Sequence, residues 1–453
     1  MLIEVPLLTD SRPITSDEPW YTNPAYNFSQ GQLIHNTNVG SGGDSNFMFP
    51  LIQGILFTIF GYSIFLARFA SVLAGLFSIV ALFKILKQLA LPNRAVGFGL
   101  FALLAIPIYH SIFRYARPES WALLFVLIAL LFLIKYLHVS SNKNIFIAGM
   151  FCALGFLTHP FTLSVSMAIG FVVLFQFIKN KKVLPLIAFA IPIIISGAIF
   201  ILNFFYLLGH SRTYVLLKRV NSINTDIFDG IGKNIMLILN SYVLDKNAIY
   251  FLPLMFLLVF GLFLKKSNKR AFNSSLMGCF VFCTSLVLFS SSGFDMLMPY
   301  VLVFSIFNIA FIIASTRSKF IFVAISTYLI LLLAANIYYD IKKFEPMNSL
   351  LARELEAIVP ENAKIIGPVE FWMFLPKTQF KATIYRWPQE VDFRQLPLEF
   401  DYFLLFSRDR HNKNRYINKI NDTLRQYSGS KLIYETYSKN YGKIELFAKI
   451  SSL

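Results

Sequence analysis

Long uninterrupted apolar runs constrain this chain more than any other feature. A helix crosses a bilayer with roughly 17–25 apolar residues, because every backbone N–H and C=O must be paired internally where no water reaches. Runs read as spans occupy 68–90, 95–112, 118–138, 160–178, 183–208, 248–264, 271–291, 296–315 and 319–339, with a shorter one at 144–158 that ends at Pro160. A soluble fold has no use for so many. Of 453 residues 56% are apolar and 14% charged, against roughly 45–50% and about 25% in an ordinary soluble domain. With 49 Phe among them, the chain has no polar shell adequate to such a core, and lipid must solvate much of the surface. The fold class expected is an α-helical polytopic membrane protein with a small C-terminal α/β extracytoplasmic domain.

The 41 basic residues outnumber the 24 acids by 17. A nucleic-acid partner would need those cations clustered on one folded face. They fall instead in short gaps between spans, so no nucleic acid is expected. Alternate gaps sort by charge: one set holds Lys84, Lys87 and Arg94; Lys135 and Lys143; Lys179, Lys181 and Lys182; Lys265, Lys266, Lys269 and Arg270; Arg317 and Lys319, with no acid among them. The positive-inside rule places these in the cytoplasm. The other set then lies outside: Arg117-Pro118-Glu119, Thr158-His159-Pro160, the loop 209–247, Gly293-Phe294-Asp295 and the tail. Between Asn46 and Asp340 the acids are Glu119, Asp226, Asp229, Asp245 and Asp295, all on the outer side. An ion-coupled transporter places carboxylates within its spans, so this distribution weighs against one. Cys152, Cys279 and Cys283 sit inside apolar runs without metal-ligand spacing, which implies neither disulfide framework nor zinc site.

Three regions follow. Residues 1–67 form an outer loop with an interfacial helix at 47–62, too brief to span, carrying Pro50, Gln53 and Gly54 and joined to the next run without a basic residue. Residues 68–340 are the transmembrane domain with its loop 209–247. Residues 341–453 return to soluble composition: helical spacing at 350–359, strands at 363–366 and 402–406, and a hairpin of 431–437 with 443–450 around Asn440-Tyr441-Gly442. A tail of that length can bury its own core.

Few residues carry chemistry. Asp17-Glu18, followed by Pro19, suits a general base or a metal ligand; it equally suits a helix start, with either acid capping and Pro19 at the first helical position. Arg114-Tyr115-Ala116-Arg117-Pro118-Glu119 places Glu119 where a carboxylate favours a helix N-terminus, and its two arginines where an anionic head group could sit. His159 is either a hydrogen-bonded loop residue or a ligand. Arg212, Lys218 and Arg219 meet phosphate or water. Arg68 either pairs with an acid of the first loop or snorkels.

Asp17-Glu18 with Tyr21, Ala25 and Gly31; Pro50 with Phe60-Gly61, Arg68, Ser71 and Gly75; and Ala116-Arg117-Pro118-Glu119 resemble the amino-terminal half of GT-C glycosyltransferases, in the branch of protein O-mannosyltransferases and the aminoarabinose transferase of lipid A. The match covers about residues 13–160. It implies sugar transfer, usually inverting, from a polyprenyl-phosphate donor to an acceptor on the non-cytoplasmic side of the plasma (inner) membrane. Asp17 corresponds to the base, Glu18 to its neighbour, Glu119 to an acid associated with a divalent cation (Mg, Mn or Zn) or the donor phosphate, and 47–62 to an interfacial helix. The family's first span has no counterpart here, and Asp295 stands where many relatives carry a basic residue outside a late span.

The expected enzyme thus uses Asp17 and Glu18 in catalysis, Glu119 and Glu18 as metal ligands, and Arg117, His159 and Arg114 as donor-phosphate contacts. Its partners are membrane lipid, the lipid-linked sugar and a hydroxyl acceptor in a lipid, glycan or protein. The competing readings are a lipid or glycan transporter, an oligosaccharide ligase or polymerase with a diphosphate-linked donor, and a scaffold; so many spans are excessive for mere anchoring.

Overall fold

A computed structural model describes residues 14–15, 17–34, 47–222, 253–258, 269–288, 291–343, 348–383, 400–407, 430–438 and 441–449. The chain divides into two compact units, one of Met1–Ala70, Tyr115–Arg117 and Tyr338–Leu453, the other of Ser71–Arg114 and Pro118–Ile337.

The second unit is helical. Its elements are the greater part of α3 (Ile64–Gln88), then α4 (Asn93–Ala105), α5 (Pro107–Ile112), α6 (Glu119–Val139), α7 (Asn142–Thr158), α8 (Leu163–Asn180), α9 (Leu184–Ser222), α10 (Lys269–Leu288), α11 (Ser291–Ser315) and most of α12 (Lys319–Lys343). Six helical stretches among the described residues are long and apolar enough to span: Ile64–Gln88, Glu119–Val139, Pro160–Asn180, Leu184–Asn203, Leu297–Ser315 and Lys319–Lys342. The apolar window of the fifth is 94% buried, against 22% for the fourth and the last. Side chains such as Ile194, Leu202 and Leu331 stay exposed on those outer helices, where lipid is the fitting solvent.

The run 95–112 is corrected by the structure: it breaks at Ile106, which is extended, and Pro107 opens α5. Proline cannot donate a backbone bond and its ring clashes with a preceding helical turn, so the break follows from its chemistry. The freed Ala105 carbonyl accepts from Asn336 Nδ2 at 2.9 Å, and the Tyr109 hydroxyl donates to the Pro299 carbonyl at 2.7 Å. Side chains of α11 likewise serve the carbonyls of residues 253–258: Ser305 Oγ donates to Leu254 at 2.8 Å and Asn308 Nδ2 to Leu257 at 3.0 Å. In an apolar interior such pairings satisfy polar groups that water does not reach. The stretch 144–158 forms the 17-residue α7. The helix read over 183–208 runs on to Ser222, and Asp295 falls within α11 rather than in a gap. The remainder of the loop, 223–247, and the ends of the run 248–264 lie outside the described residues.

The first unit begins with α1 (Asp17–Ser29) and α2 (Met48–Phe60). Helix α2 buries Phe49, Pro50, Gln53, Gly54 and Phe57 at helical spacing and leaves Ile55, Ile59 and Phe60 exposed. An exposed face that apolar suits a membrane interface better than water. Gly54 permits the close approach of α1, since a Cβ there would meet Phe28 Cδ1 at 2.6 Å and the Ala25 carbonyl at 3.0 Å. After α13 (Asn348–Ile358) come β1 (Lys364–Pro368), a 3-10 turn (Val369–Phe374), β2 (Gln379–Thr383), β3 (Tyr402–Ser407), β4 (Ser430–Ser438) and β5 (Gly442–Lys449). They make one sheet of order β2-β1-β3-β5-β4, parallel at β1 with β2 and β3, antiparallel elsewhere. One face packs Phe403, Leu405 and Ile366 with Phe400. The other shares a single core with the amino-terminal segment: Ile14, Ala25, Phe57 and Ala67 lie in one cluster with Leu351, Ile365, Trp372 and Leu446. The larger of the tail's two clusters is therefore continuous with α1 and α2, and the smaller is its own.

Candidate active site

The acid pair opens α1. Thr15-x-x-Glu18 is a capping pattern, and the Glu18 carboxylate turns back to accept the Thr15 N–H at 2.9 Å. That same carboxylate, fully buried, accepts Arg68 Nε at 2.9 Å and Nη2 at 3.0 Å, and the backbone N–H of Ala116 at 3.0 Å. Two oxygens offer about four lone-pair positions. All are spent on N–H donors, so Glu18 joins the amino-terminal segment, the start of α3 and the 115–117 strip through one charge. The guanidinium of Arg68 also lies 5.7 Å from the Tyr115 ring centroid, a cation–π distance.

Asp17 has different surroundings. Its Oδ2 lies 3.5 Å from Arg117 Nη1, and the two side chains keep 15% and 23% exposure. Its neighbour is sealed; Asp17 is reachable. Behind the pair, Ile14 N–H donates to the Tyr441 hydroxyl at 2.6 Å, and that hydroxyl donates to Asn348 Oδ1 at 3.0 Å. Burial pushes the Tyr441 phenol above its ordinary pKa, with the Ile14 amide opposing, so the hydroxyl keeps the proton it donates. Tyr62 donates to the Met373 carbonyl at 2.9 Å and is likewise pushed up by burial. Tyr26, Tyr62 and Trp372 meet edge to face at 5.4–6.0 Å.

Of the residues singled out in the sequence, Asp17, Glu18 and Arg117 therefore share one unit and one set of contacts. Arg114, Glu119 and His159 belong to the other. There Glu119 is buried in the first turn of α6, Arg114 is buried, and His159 closes α7 with its ring 5.2 Å from Phe161 and 6.1 Å from Tyr300. The Thr162 hydroxyl donates to the His159 carbonyl at 3.0 Å. Arg68 resolves in favour of pairing rather than snorkelling. Tyr441 and Asn348 went unread, because a contact across 427 positions leaves no local signal.

A divalent cation does not fit Glu18, whose oxygens are already committed to nitrogen donors. Among the described residues no group of three His, Cys, Asp or Glu side chains is arranged to hold a metal. Glu119, on its own unit, stays the candidate for donor phosphate or metal.

Residues 44–201 match the family described as dolichyl-phosphate-mannose-protein mannosyltransferase. No curated protein matches the chain. In fold it is similar to ArnT from Cupriavidus metallidurans bound to undecaprenyl phosphate, with a TM-score of 0.60 and 11% identity over 100% of this chain and 97% of that one. The apo structure of the same protein gives 0.59 and 13% over the same shares. The chain thus has the ArnT-like fold.

Proposed function

We propose that this chain, a membrane glycosyltransferase of the GT-C superfamily, moves a sugar from a polyprenyl-phosphate carrier to a hydroxyl acceptor on the non-cytoplasmic side of the plasma membrane, with inversion. The family match and the likeness to a protein crystallised with undecaprenyl phosphate support the carrier. The cation-rich gaps between spans support the side. The observation that carries the catalytic assignment is the division within the acid pair: Glu18 is saturated by four N–H donors, whereas Asp17 keeps partial exposure beside Arg117.

In a single displacement the acceptor oxygen attacks the anomeric carbon, the bond from that carbon to the phosphate oxygen breaks, and the carrier leaves as polyprenyl phosphate. Asp17 takes the acceptor's proton as its oxygen becomes bonded. Arg117 offers a planar fork of donors suited to the charge growing on the phosphate. Arg114 and His159 carry the same phosphate-contact role as separate assignments, each open to substitution. Glu18 positions Asp17 and touches no substrate.

Membranes containing the protein, incubated with labelled mono- and diphosphate polyprenyl sugars, should transfer label only from a monophosphate donor. Asp17→Asn should abolish that transfer at unchanged protein abundance. Retained activity in Asp17→Asn rejects the base, and transfer from diphosphate donors alone identifies a ligase or polymerase instead.

A further inference from the structure

We propose that Tyr441, in the turn just before β5, is a positioning residue for the proton-accepting segment, so that the carboxy-terminal sheet is a working part of the active site. This rests on the reading of Asp17 as base. The tie is a short relay. The Tyr441 hydroxyl receives the Ile14 amide at 2.6 Å and gives its own proton to Asn348 Oδ1 at 3.0 Å. Tyr441 is itself held by its amide, which donates to Ser438 Oγ at 3.1 Å, and by the rings of Phe371 and Phe374 at 5.5 and 6.4 Å. Ile14 and Tyr441 are 0% and 1% exposed, so no bulk water can replace either partner. One residue further on, the Thr15 amide is bound by Glu18, and Asp17 lies between Ile14 and Glu18.

The segment is therefore pinned at Ile14 by the sheet and at Glu18 by Arg68 and Ala116. Removing the first pin leaves a buried N–H without its acceptor and frees the approach to α1. A proton acceptor displaced by a fraction of an ångström loses rate steeply, while substrate contacts elsewhere hold the donor as before. The expected signature is a fall in kcat without a matching rise in KM.

Tyr441→Phe deletes only the hydroxyl and keeps the ring packing. In the full-length chain in detergent, it should speed hydrogen exchange in peptides covering 14–18 while peptides from β3 and β5 exchange as in the parent. With the donor identified by the labelled panel, kcat should fall on the order of tenfold and donor KM stay within about twofold. Asn348→Ala, which leaves an acceptor for the Ile14 amide, should cost less than Tyr441→Phe. Unchanged exchange at 14–18, or an equal or larger loss in Asn348→Ala, overturns the relay. Asp17→Asn assayed alongside separates the two readings: an active Asp17→Asn overturns the base, whereas an inactive one beside a fully active Tyr441→Phe overturns the positioning role alone.

Discussion

Glu18 and Asp17 are one residue apart, which on a helix is a rotation of about 100°, and that step separates a sealed carboxylate from a reachable one. The sealed one predicts a stability effect. Glu18→Gln leaves the Arg68 guanidinium buried against a neutral amide, and breaking a buried pair from one side costs roughly 3–5 kcal/mol. The double substitution Glu18→Leu with Arg68→Leu removes both charges and should recover part of that loss, which thermal unfolding in detergent would measure. Asp17→Asn weakens a partly exposed ion pair with Arg117 and should cost under about 1 kcal/mol while abolishing transfer. If Asp17→Asn unfolds the protein as Glu18→Gln does, the division of roles is wrong. Two phenols of this unit give a pH signature with a definite sign. An unfolded tyrosine titrates near 10, and Tyr62 and Tyr441 are held above that by burial. Their contribution is whole below pH about 10 and is lost as pH rises towards the folded values. Denaturant midpoints should hold up to about pH 10 and fall above it, and fall less in Tyr441→Phe.

At the scale of elements, helix ends show where the backbone is strained. Ala90, Ser140 and Lys181 take φ of 56°, 53° and 56°, a left-handed conformation that costs residues with a Cβ. At Ala90 the end is a Schellman turn: Leu91 N–H reaches the Leu86 carbonyl at 3.3 Å and Ala90 N–H that of Lys87 at 2.9 Å. Glycine at each position should stabilise by roughly 0.5–1 kcal/mol after its larger unfolded-state entropy is counted, raising the melting temperature; a lowered one in all three would contradict the strain. Gly54→Ala runs the other way, pushing Phe28 from α2, and should destabilise. The same scale shows what the sequence disclosed. Helix α2 was legible because a mostly apolar stretch of thirteen residues, punctuated by Pro50 and Gln53, is too short to span. The break at Ile106 was not, since hydropathy runs unbroken through Ile106-Pro107-Ile108 and only the proline marks it. Strand β2 was missed because Gln379-Phe380-Lys381 is a short edge whose parallel partner, β1, is fixed by tertiary packing. The acid pair was legible as residues. Its unequal surroundings were not, because they depend on Arg68 and Ala116, 50 and 98 positions away.

For the whole molecule, the consequence lies in the core that the carboxy-terminal sheet shares with α1 and α2. Composition made residues 341–453 look like a soluble appendage, and a segment of that length is able to bury a core of its own. In the structure, however, the inner face of that sheet closes over Ile14, Ala25 and Phe57, and Trp372, fully buried, meets Tyr26 and Tyr62. Removing the amino-terminal segment would bare Trp372 and its apolar neighbours to water, at about 25 cal/mol for each Å² exposed. A domain of this size has only about 5–15 kcal/mol to lose. Residues 341–453 expressed alone should therefore fail to give a cooperative, two-state melt, and the chain ending at 340 should lose both abundance and activity. Co-expressing the two pieces should restore part of each, because what joins them is a packed core rather than a linker. A fragment 341–453 that melts cooperatively on its own would show the sheet to be a passenger on the membrane helices, and the continuity between acid pair and sheet would then carry no energetic weight.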